Sequence, residues 1–392
     1  MKRVVLKKAT EKFVHSFHPW IYQQAIKTAD PNIEPGEIVY ITNSNNQFIA
    51  YGFYNPHSAI ALRILELHES NIPDEAWFYK KIAEAISRRK NILSSATNSC
   101  RLVFGESYFL PGLIVDKYAD FLVIQIHTAG VERFKQHIIN YLTELSKPTG
   151  IIEKNDSDIR TLEQLTITES HTHGKKIPES FIITENTFRY KIFLGQKTGF
   201  YCDQRENRKA VSALSSGKKV LDCFSYTGSF ALHCLKNKAQ HVLRIDSSKD
   251  ALAIGDENIK LNGFSLENSP SLVGNAFEVL RKFRDENKRF DMIILDPPKL
   301  ASRKQEKDKA LRAYKDINLL AIKLLNTDGI LATFSCSGGV NREDFRMALA
   351  WAAKDAERKM SIIQTLGQPE DHPINIYFPE SEYLKGFICR VL

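Results

Sequence analysis

Residues 291–299 read Asp291-Met-Ile-Ile-Leu-Asp-Pro-Pro-Lys299. An apolar run closed by Asp296 and two prolines predicts a buried strand that stops at the acid. Further on, Ile330-Leu-Ala-Thr-Phe-Ser-Cys-Ser337 repeats the pattern and ends on a thiol, Cys336. In open α/β sheets ligands bind at the carboxyl edge of the strands. The two strings therefore predict an acid and a cysteine delivered to one edge. Around them, further strands are predicted at Lys219–Asp222, His241–Asp246 and Leu272–Val273, with Phe290–Asp296 and Ile330–Ser335 as the two just described. Helices are predicted at Asn207–Leu214, Phe230–Lys236, Lys249–Asn262, Tyr314–Leu325 and Arg342–Arg358. Such alternation predicts a mostly parallel, doubly wound sheet.

Upstream of about residue 190 the rhythm differs. Glu37–Ile41, Phe48–Tyr54 and Ile60–Leu65 are short strands separated by turns, as in a small barrel. His68–Pro73 marks a boundary, and Asp74 predicts the N-cap of a helix running to Ile92. Strands at Arg101–Phe104, Leu113–Tyr118, Phe121–Ile126 and Gly150–Glu153, with a helix near Val131–Leu145, then suggest a small α+β unit. Ser170-His-Thr-His-Gly-Lys-Lys176 reads as an exposed hairpin or loop. Its two histidines have no acid or cysteine beside them in sequence, so no metal site is expected. The expected division is 1–70, 71–187 and 188–392.

A chain of 392 residues buries enough surface for two or three domains. Its hydrophobic share of 43% and charged share of 26% are those of a soluble globular protein, and no apolar run is long enough for a membrane span. The basic N-terminus lacks the apolar core of a secretory signal. Six scattered cysteines without a C-x-x-C pair predict neither a zinc site nor a disulfide framework, and point to a reducing cytosol. The net charge of +8 favours an anionic partner. Residues 191–392 carry 32 Lys and Arg against 25 Asp and Glu, so the excess lies in the half that holds the two strings.

Asp222-Cys-Phe-Ser-Tyr-Thr-Gly228 joins a predicted strand to a predicted helix, and Asp246 closes the next strand. Small residues in such a turn let backbone N–H groups approach a ligand, and an acid at the second strand end suits ribose hydroxyls. The G-x-G-x-x-G pattern of a pyrophosphate clamp is absent, since only Gly228 is present. A nucleoside bound without a pyrophosphate describes S-adenosylmethionine better than NAD. The rigid Asp296-Pro-Pro turn presents a carboxyl group to a planar base. Lys299 follows where enzymes that methylate exocyclic amines tend to place an aromatic ring. Cys336 offers a different chemistry. C5 of cytosine is not nucleophilic, and a thiolate adding at C6 makes it so while an acid near N3 stabilises the developing charge. The ordinary fate of a cysteine is to be a small buried hydrophobe. The flanking serines and the shared edge with Asp296 favour a thiol that is used.

These strings resemble the RlmI-type family of S-adenosylmethionine-dependent RNA cytosine-C5 methyltransferases acting on 23S ribosomal RNA. The resemblance spans the chain. His18-Pro-Trp-Ile21 and Gly52-Phe-Tyr-Asn-Pro-His-Ser58 are similar to its N-terminal PUA domain. Leu110-Pro-Gly-Leu-Ile-Val-Asp-Lys-Tyr118 and Glu153-Lys-Asn-Asp-Ser-Asp-Ile-Arg160 are similar to its central domain. The segments Gln196–Arg208, Leu221–Gly228, Asp296–Lys299, Tyr314–Leu320, Ser335–Ser337 and Pro379–Phe387 are similar to its catalytic domain. The implied fold is α/β: a C-terminal Rossmann-like class I methyltransferase behind a PUA-like β-barrel and a small central α+β domain. The resemblance implies that Cys336 attacks C6 and Asp296 holds the base near N3. Asp222, Phe224, Tyr226 and Gly228 would line the methionine side of the cofactor, Asp246 its ribose and Asn275 its adenine, with Gln204 and Arg205 nearby. The basic stretch after the turn, with Lys299, Arg303, Lys304 and Lys307, is expected to grip RNA phosphates.

The chain departs from the pattern twice. Asn275 stands where methyltransferases commonly carry Asp against the adenine amine, and Pro298 stands where many RNA cytosine-C5 methyltransferases carry a second cysteine. The base that removes the C5 proton is left unassigned, as is the oligomeric state, with a homodimer one option. Two alternatives stay open at this point: an RNA-binding protein on a vestigial methyltransferase fold, and an enzyme of the same fold acting on another base or a small molecule.

Overall fold

The computed structural model describes residues 1–8, 17–155, 158–168, 171–194, 199–301 and 306–392. The chain forms two compact units. One comprises Met1–Asn186, Phe193–Gly199 and Glu370–Ser381; the other comprises Thr187–Ile192, Phe200–Pro369 and Glu382–Leu392.

The first unit contains a six-stranded and a five-stranded sheet. The six-stranded sheet uses Arg3–Leu6, Trp20–Ile21 and Ile26–Ala29 in addition to the three strands read from sequence. Val4 and Leu6 alternate inward from the basic N-terminal cluster and join Val39, Ile41, Leu62 and Ile64 in one core. The five-stranded sheet holds Ser99–Phe104, Leu113–Tyr118, Phe121–Ile126 and Gly150–Glu153, as expected to within two residues. Its fifth strand corrects the reading of the histidine segment. His171–Gly174 pairs antiparallel with Gly150–Glu153, so it is an edge strand, and His173 Nε2 lies 2.6 Å from Glu153 Oε1. Asp74 does cap its helix, accepting from Trp77 N at 2.9 Å, but the helix ends at Ser87. The helix expected at Val131–Leu145 is broken at Phe134 into Ala129–Arg133 and Lys135–Ser146.

The second unit is a seven-stranded sheet with helices. Its strands are β1 (Lys219–Cys223), β2 (His241–Asp246), β3 (Ser271–Val273), β4 (Phe290–Leu295), β5 (Leu325–Ser335), β6 (Met360–Gly367) and β7 (Lys385–Val391). They lie in the order β3-β2-β1-β4-β5-β7-β6. The first five are parallel, while β7 runs antiparallel to both β5 and β6. The parallel strands are covered on both faces, which is why β1, β4 and β5 read as continuous apolar runs rather than alternating ones. The helices are α1 (Arg205–Ser212), α2 (Ser229–Lys236), α3 (Lys249–Leu261), α4 (Ala276–Asp285), α5 (Lys307–Leu324) and α6 (Arg342–Asp355). From β1 the chain moves to β2 and β3 on one side, then returns to β4 on the other. The order therefore reverses at β1 and β4, and the crevice beyond their carboxyl ends is where such a sheet takes its ligand.

Candidate active site

Four carboxyl ends in the second unit supply the predicted groups: Asp222 to Gly228 after β1, Asp246 at the end of β2, Asp296 after β4, and Cys336 after β5. The loop after β1 is held in an uncommon backbone. Phe224, Tyr226 and Gly228 have φ of 61°, 48° and 77°, and left-handed side-chain-bearing residues of this kind cluster at functional sites. Asp246 clasps the loop, since its Oδ2 accepts from Tyr226 N at 2.9 Å and its Oδ1 from Ser248 N at 2.9 Å. Gly228 opens α2 in the left-handed region, and a Cβ there would meet Arg244 Cδ at 3.4 Å.

Asp222 is 1% exposed. Burial pushes its carboxyl up to about 8, against the pull of the Arg244 guanidinium and with a push from Asp296. The Ala231 backbone N–H donates to it, yet its Oδ2 meets no hydrogen-bond partner in the protein. A buried acceptor left open at the switch point fits a ligand donor, and the ammonium of an amino-acid cofactor is one. Asn275 caps α4, its Oδ1 accepting from Phe277 N at 2.9 Å. One lone pair of that carbonyl and both amide N–H groups are left for a ligand.

Asp296 and Cys336 follow the ends of neighbouring strands. Cys336 Sγ lies 3.8 Å from Pro297 O, and Cys336 is the one cysteine of the six that is not buried. Ser337 explains the alignment of the two strand ends. Its Oγ accepts from Leu300 N at 3.0 Å and Ala301 N at 3.1 Å, and with both lone pairs used its own proton goes to Tyr314 Oη at 2.9 Å. The turn after Asp296 is thus tied to the residue after Cys336. Burial pushes the Asp296 carboxyl up to about 7, the Asp203 carboxylate adds to it, and a hydrogen bond from Gln204 and the charge of Arg208 oppose it. The Cys336 thiol is pushed up to about 12 by burial and by the carboxylates of Asp296 and Asp203, with Lys299 opposing.

The remaining predicted residues fall as follows. Gln204 is buried and hydrogen-bonds to Asp296, while its Oε1 accepts from Asn207 Nδ2 at 2.6 Å. Arg205 is buried at the start of α1, with Nε 3.4 Å from Glu206 Oε1. Lys299 is exposed beside the turn. Lys307 pairs with Asp344 at 2.8 Å. Arg303 and Lys304 lie outside the described residues. Two groups went unassigned in the sequence. Asp203 stands one residue before Gln204, its Oδ2 accepts from Tyr383 Oη at 2.7 Å, and its Oδ1 is buried without a partner. Lys385 opens β7, pairs in register with Ser335 and is 1% exposed. Both sit inside quoted strings, but neither carries a local signal of function. Among the described residues no group of three or more His, Cys, Asp or Glu could hold a metal, and no helix is long and apolar enough to cross a membrane.

A PUA-like domain model matches residues 4–67, and an S-adenosylmethionine-dependent methyltransferase model matches residues 157–370, more than half of the chain. Fold and site thus define an S-adenosylmethionine-dependent methyltransferase with an N-terminal PUA-like domain. A solved methyltransferase structure complexed with SAH has the same fold, with a TM-score of 0.87, 20% identity and full coverage of both chains. The ribosomal RNA large subunit methyltransferase I of Aliivibrio fischeri is 38% identical over 393 residues, covering 99% of each chain. That of Erwinia tasmaniensis is 36% identical over 393 residues, covering 100% of this chain and 99% of its own. The chain belongs to the ribosomal RNA large subunit methyltransferase I family.

Proposed function

We propose that the protein transfers a methyl group from S-adenosylmethionine to C5 of a cytosine in 23S ribosomal RNA, through a transient bond between Cys336 Sγ and C6. The substrate class is that named for the relatives. The observation that carries the cytosine reading is the placement of a thiol and a carboxyl group, which burial pushes toward its protonated form, at adjacent strand ends. As Sγ bonds to C6, an electron pair moves toward N3, and Asp296 gives N3 its proton. C5 becomes the nucleophile. When bound, S-adenosylmethionine supplies an electrophilic methyl group. A base then takes the C5 proton, the C6–S bond breaks, and N3 returns its proton to Asp296, which restores the aromatic ring and the sulfur nucleophile.

Asp222 and the Phe224, Tyr226 and Gly228 loop would hold the methionine end of the cofactor, Asp246 its ribose and Asn275 its adenine. Gln204 would act on the base side, because its hydrogen bond goes to Asp296. Arg205 precedes the cofactor loop in the same unit and would support it. The exposed Lys299 would meet an RNA phosphate beside the flipped base. Mass-spectrometric mapping of 5-methylcytosine in ribosomal RNA incubated with wild type and with Cys336→Ala tests the reading. RNA with 5-fluorocytidine at the target should trap an adduct with wild type alone, since fluorine does not leave as a proton. Methylation at another atom, or full activity of Cys336→Ala, overturns it.

A further inference from the structure

Lys385 is a buried amine without a paired carboxylate among the described residues. Its Nζ donates to Ser337 O at 2.9 Å. The nearest acid in sequence, Glu382, is taken by Arg342, at 2.6 Å to Nη2 and 3.0 Å to Nε. Lysine is almost never fully buried unless paired, because an ammonium taken out of water costs several kcal/mol. Lys385 thus holds the carbonyl of the residue after Cys336 and, from β7, pairs in register with Ser335, the residue before it.

We propose that Lys385 is the proton partner of Cys336, taking the thiol proton as the sulfur attacks and standing as counter-ion to the thiolate. This rests on the reading of Cys336 as nucleophile. In the step the S–H bond breaks, its proton forms a third N–H bond on the neutral amine of Lys385, and the sulfur pair goes to C6. The proton returns when the sulfur leaves. A neutral lysine amine can keep one N–H on Ser337 O and still offer its lone pair. Burial moves Lys385 down to about 8, opposed by Glu382 and Cys336 and aided by Arg342 and Lys299. Cys336 faces Asp296, Asp203 and Lys299 as well, so the pair titrates within that set. Lys385 acts through the sulfur, as a positioning residue, and touches no substrate atom in this scheme.

The test needs no RNA. Cys336 is alkylated with iodoacetamide across a pH series in the full chain, followed by intact mass, with Cys336→Ala as blank. Lys385→Met and Lys385→Gln are compared with wild type; glutamine keeps a donor for Ser337 O but takes no proton. In both variants, labelling at pH near 7.5 should fall at least about tenfold, and the midpoint of its pH profile should rise. Labelling of Lys385→Gln as fast as wild type at every pH would overturn the proposal and leave a structural hydrogen bond. If neither variant folds, thiolate absorbance in wild type minus Cys336→Ala decides. A midpoint below about 10 supports the pair, and one above that, toward the value of about 12 that burial and the carboxylates of Asp296 and Asp203 set, overturns it. Coupled labelling without 5-methylcytosine in RNA would sink the cytosine reading and leave the pair intact.

Discussion

Asp296→Asn should make the protein more stable and nearly inactive at once. Burial and the Asp203 carboxylate raise the Asp296 carboxyl from an ordinary 3.8 to about 7. The folded chain therefore binds this proton more tightly than the unfolded chain does. Between those two values the native state holds more protons, so stability falls as pH rises from about 4 to 7 and is flat above. The full displacement corresponds to about 4 kcal/mol, at about 1.36 kcal/mol per tenfold. Water reaching a half-buried carboxyl lowers that to about 2–4 kcal/mol. Asparagine keeps the shape and accepts the Gln204 donor, but it carries no charge. Urea unfolding should then show Asp296→Asn more stable than wild type at pH 8 by about 2–4 kcal/mol, with the gap closing by pH 4. Single-turnover methyl transfer at saturating RNA and cofactor should fall by about 100-fold or more, because the amide donates a hydrogen bond but transfers no proton. RNA affinity should hardly change, since a cytosine is uncharged at N3 in the ground state. A variant less stable than wild type at pH 8, with a rate within about threefold of it, would make Asp296 a turn cap and refute the reasoning.

Asp203→Asn removes a negative charge that raises both Asp296 and Cys336. Iodoacetamide labelling of Cys336 should therefore speed up at neutral pH, and the basic limb of the pH–rate profile should move down. Asp222→Asn should weaken S-adenosylmethionine binding by about tenfold in calorimetry while stabilising the cofactor-free protein increasingly from about pH 4 to 8 and by a constant amount above, because the folded chain no longer binds a proton more tightly than the unfolded one there. Lys299→Ala should reduce the salt slope of RNA binding by about one, whereas Lys307→Ala should change it less, since Lys307 is already paired with Asp344. Filter binding over a salt series separates the two.

How much of this was legible depends on locality. Strands β1, β2, β4 and β5 could be read because strands buried on both faces need continuous apolar runs, and Asp296 and Cys336 stand at their ends. The two outer strands at the other side of the sheet left no such trace. β6 is an exposed edge for most of its length, with Ile362 and Ile363 open to solvent, and β7 begins with a lysine. Helix α4 went unassigned although Ala276, Leu280 and Phe283 follow helical spacing and charged residues fill its other face. The parallel sheet was anticipated, but its antiparallel edge pair was not. Asp203 is the clearest case of information absent from local sequence: its effect on Asp296 arises only when the segment before α1 packs against the end of β4.

Burial moves every titrating group of the site toward its uncharged form. Asp222, Asp296 and Cys336 are raised, and Lys385 is lowered. Such a site holds its protons where the reaction needs them before any substrate arrives. Asp296, at about 7, keeps a proton in part of the molecules at neutral pH, and Lys385, at about 8, gains a lone pair as pH rises through that value. In the proposed mechanism attack on C6 leaves one pair of charges, the Lys385 ammonium and the Asp296 carboxylate, and only the C5 proton has to leave the site. In that mechanism the acid and the thiol come from neighbouring parallel strands and the amine from an antiparallel one. β7 alone runs the other way beside β5, so its first residue, rather than its last, reaches the catalytic edge.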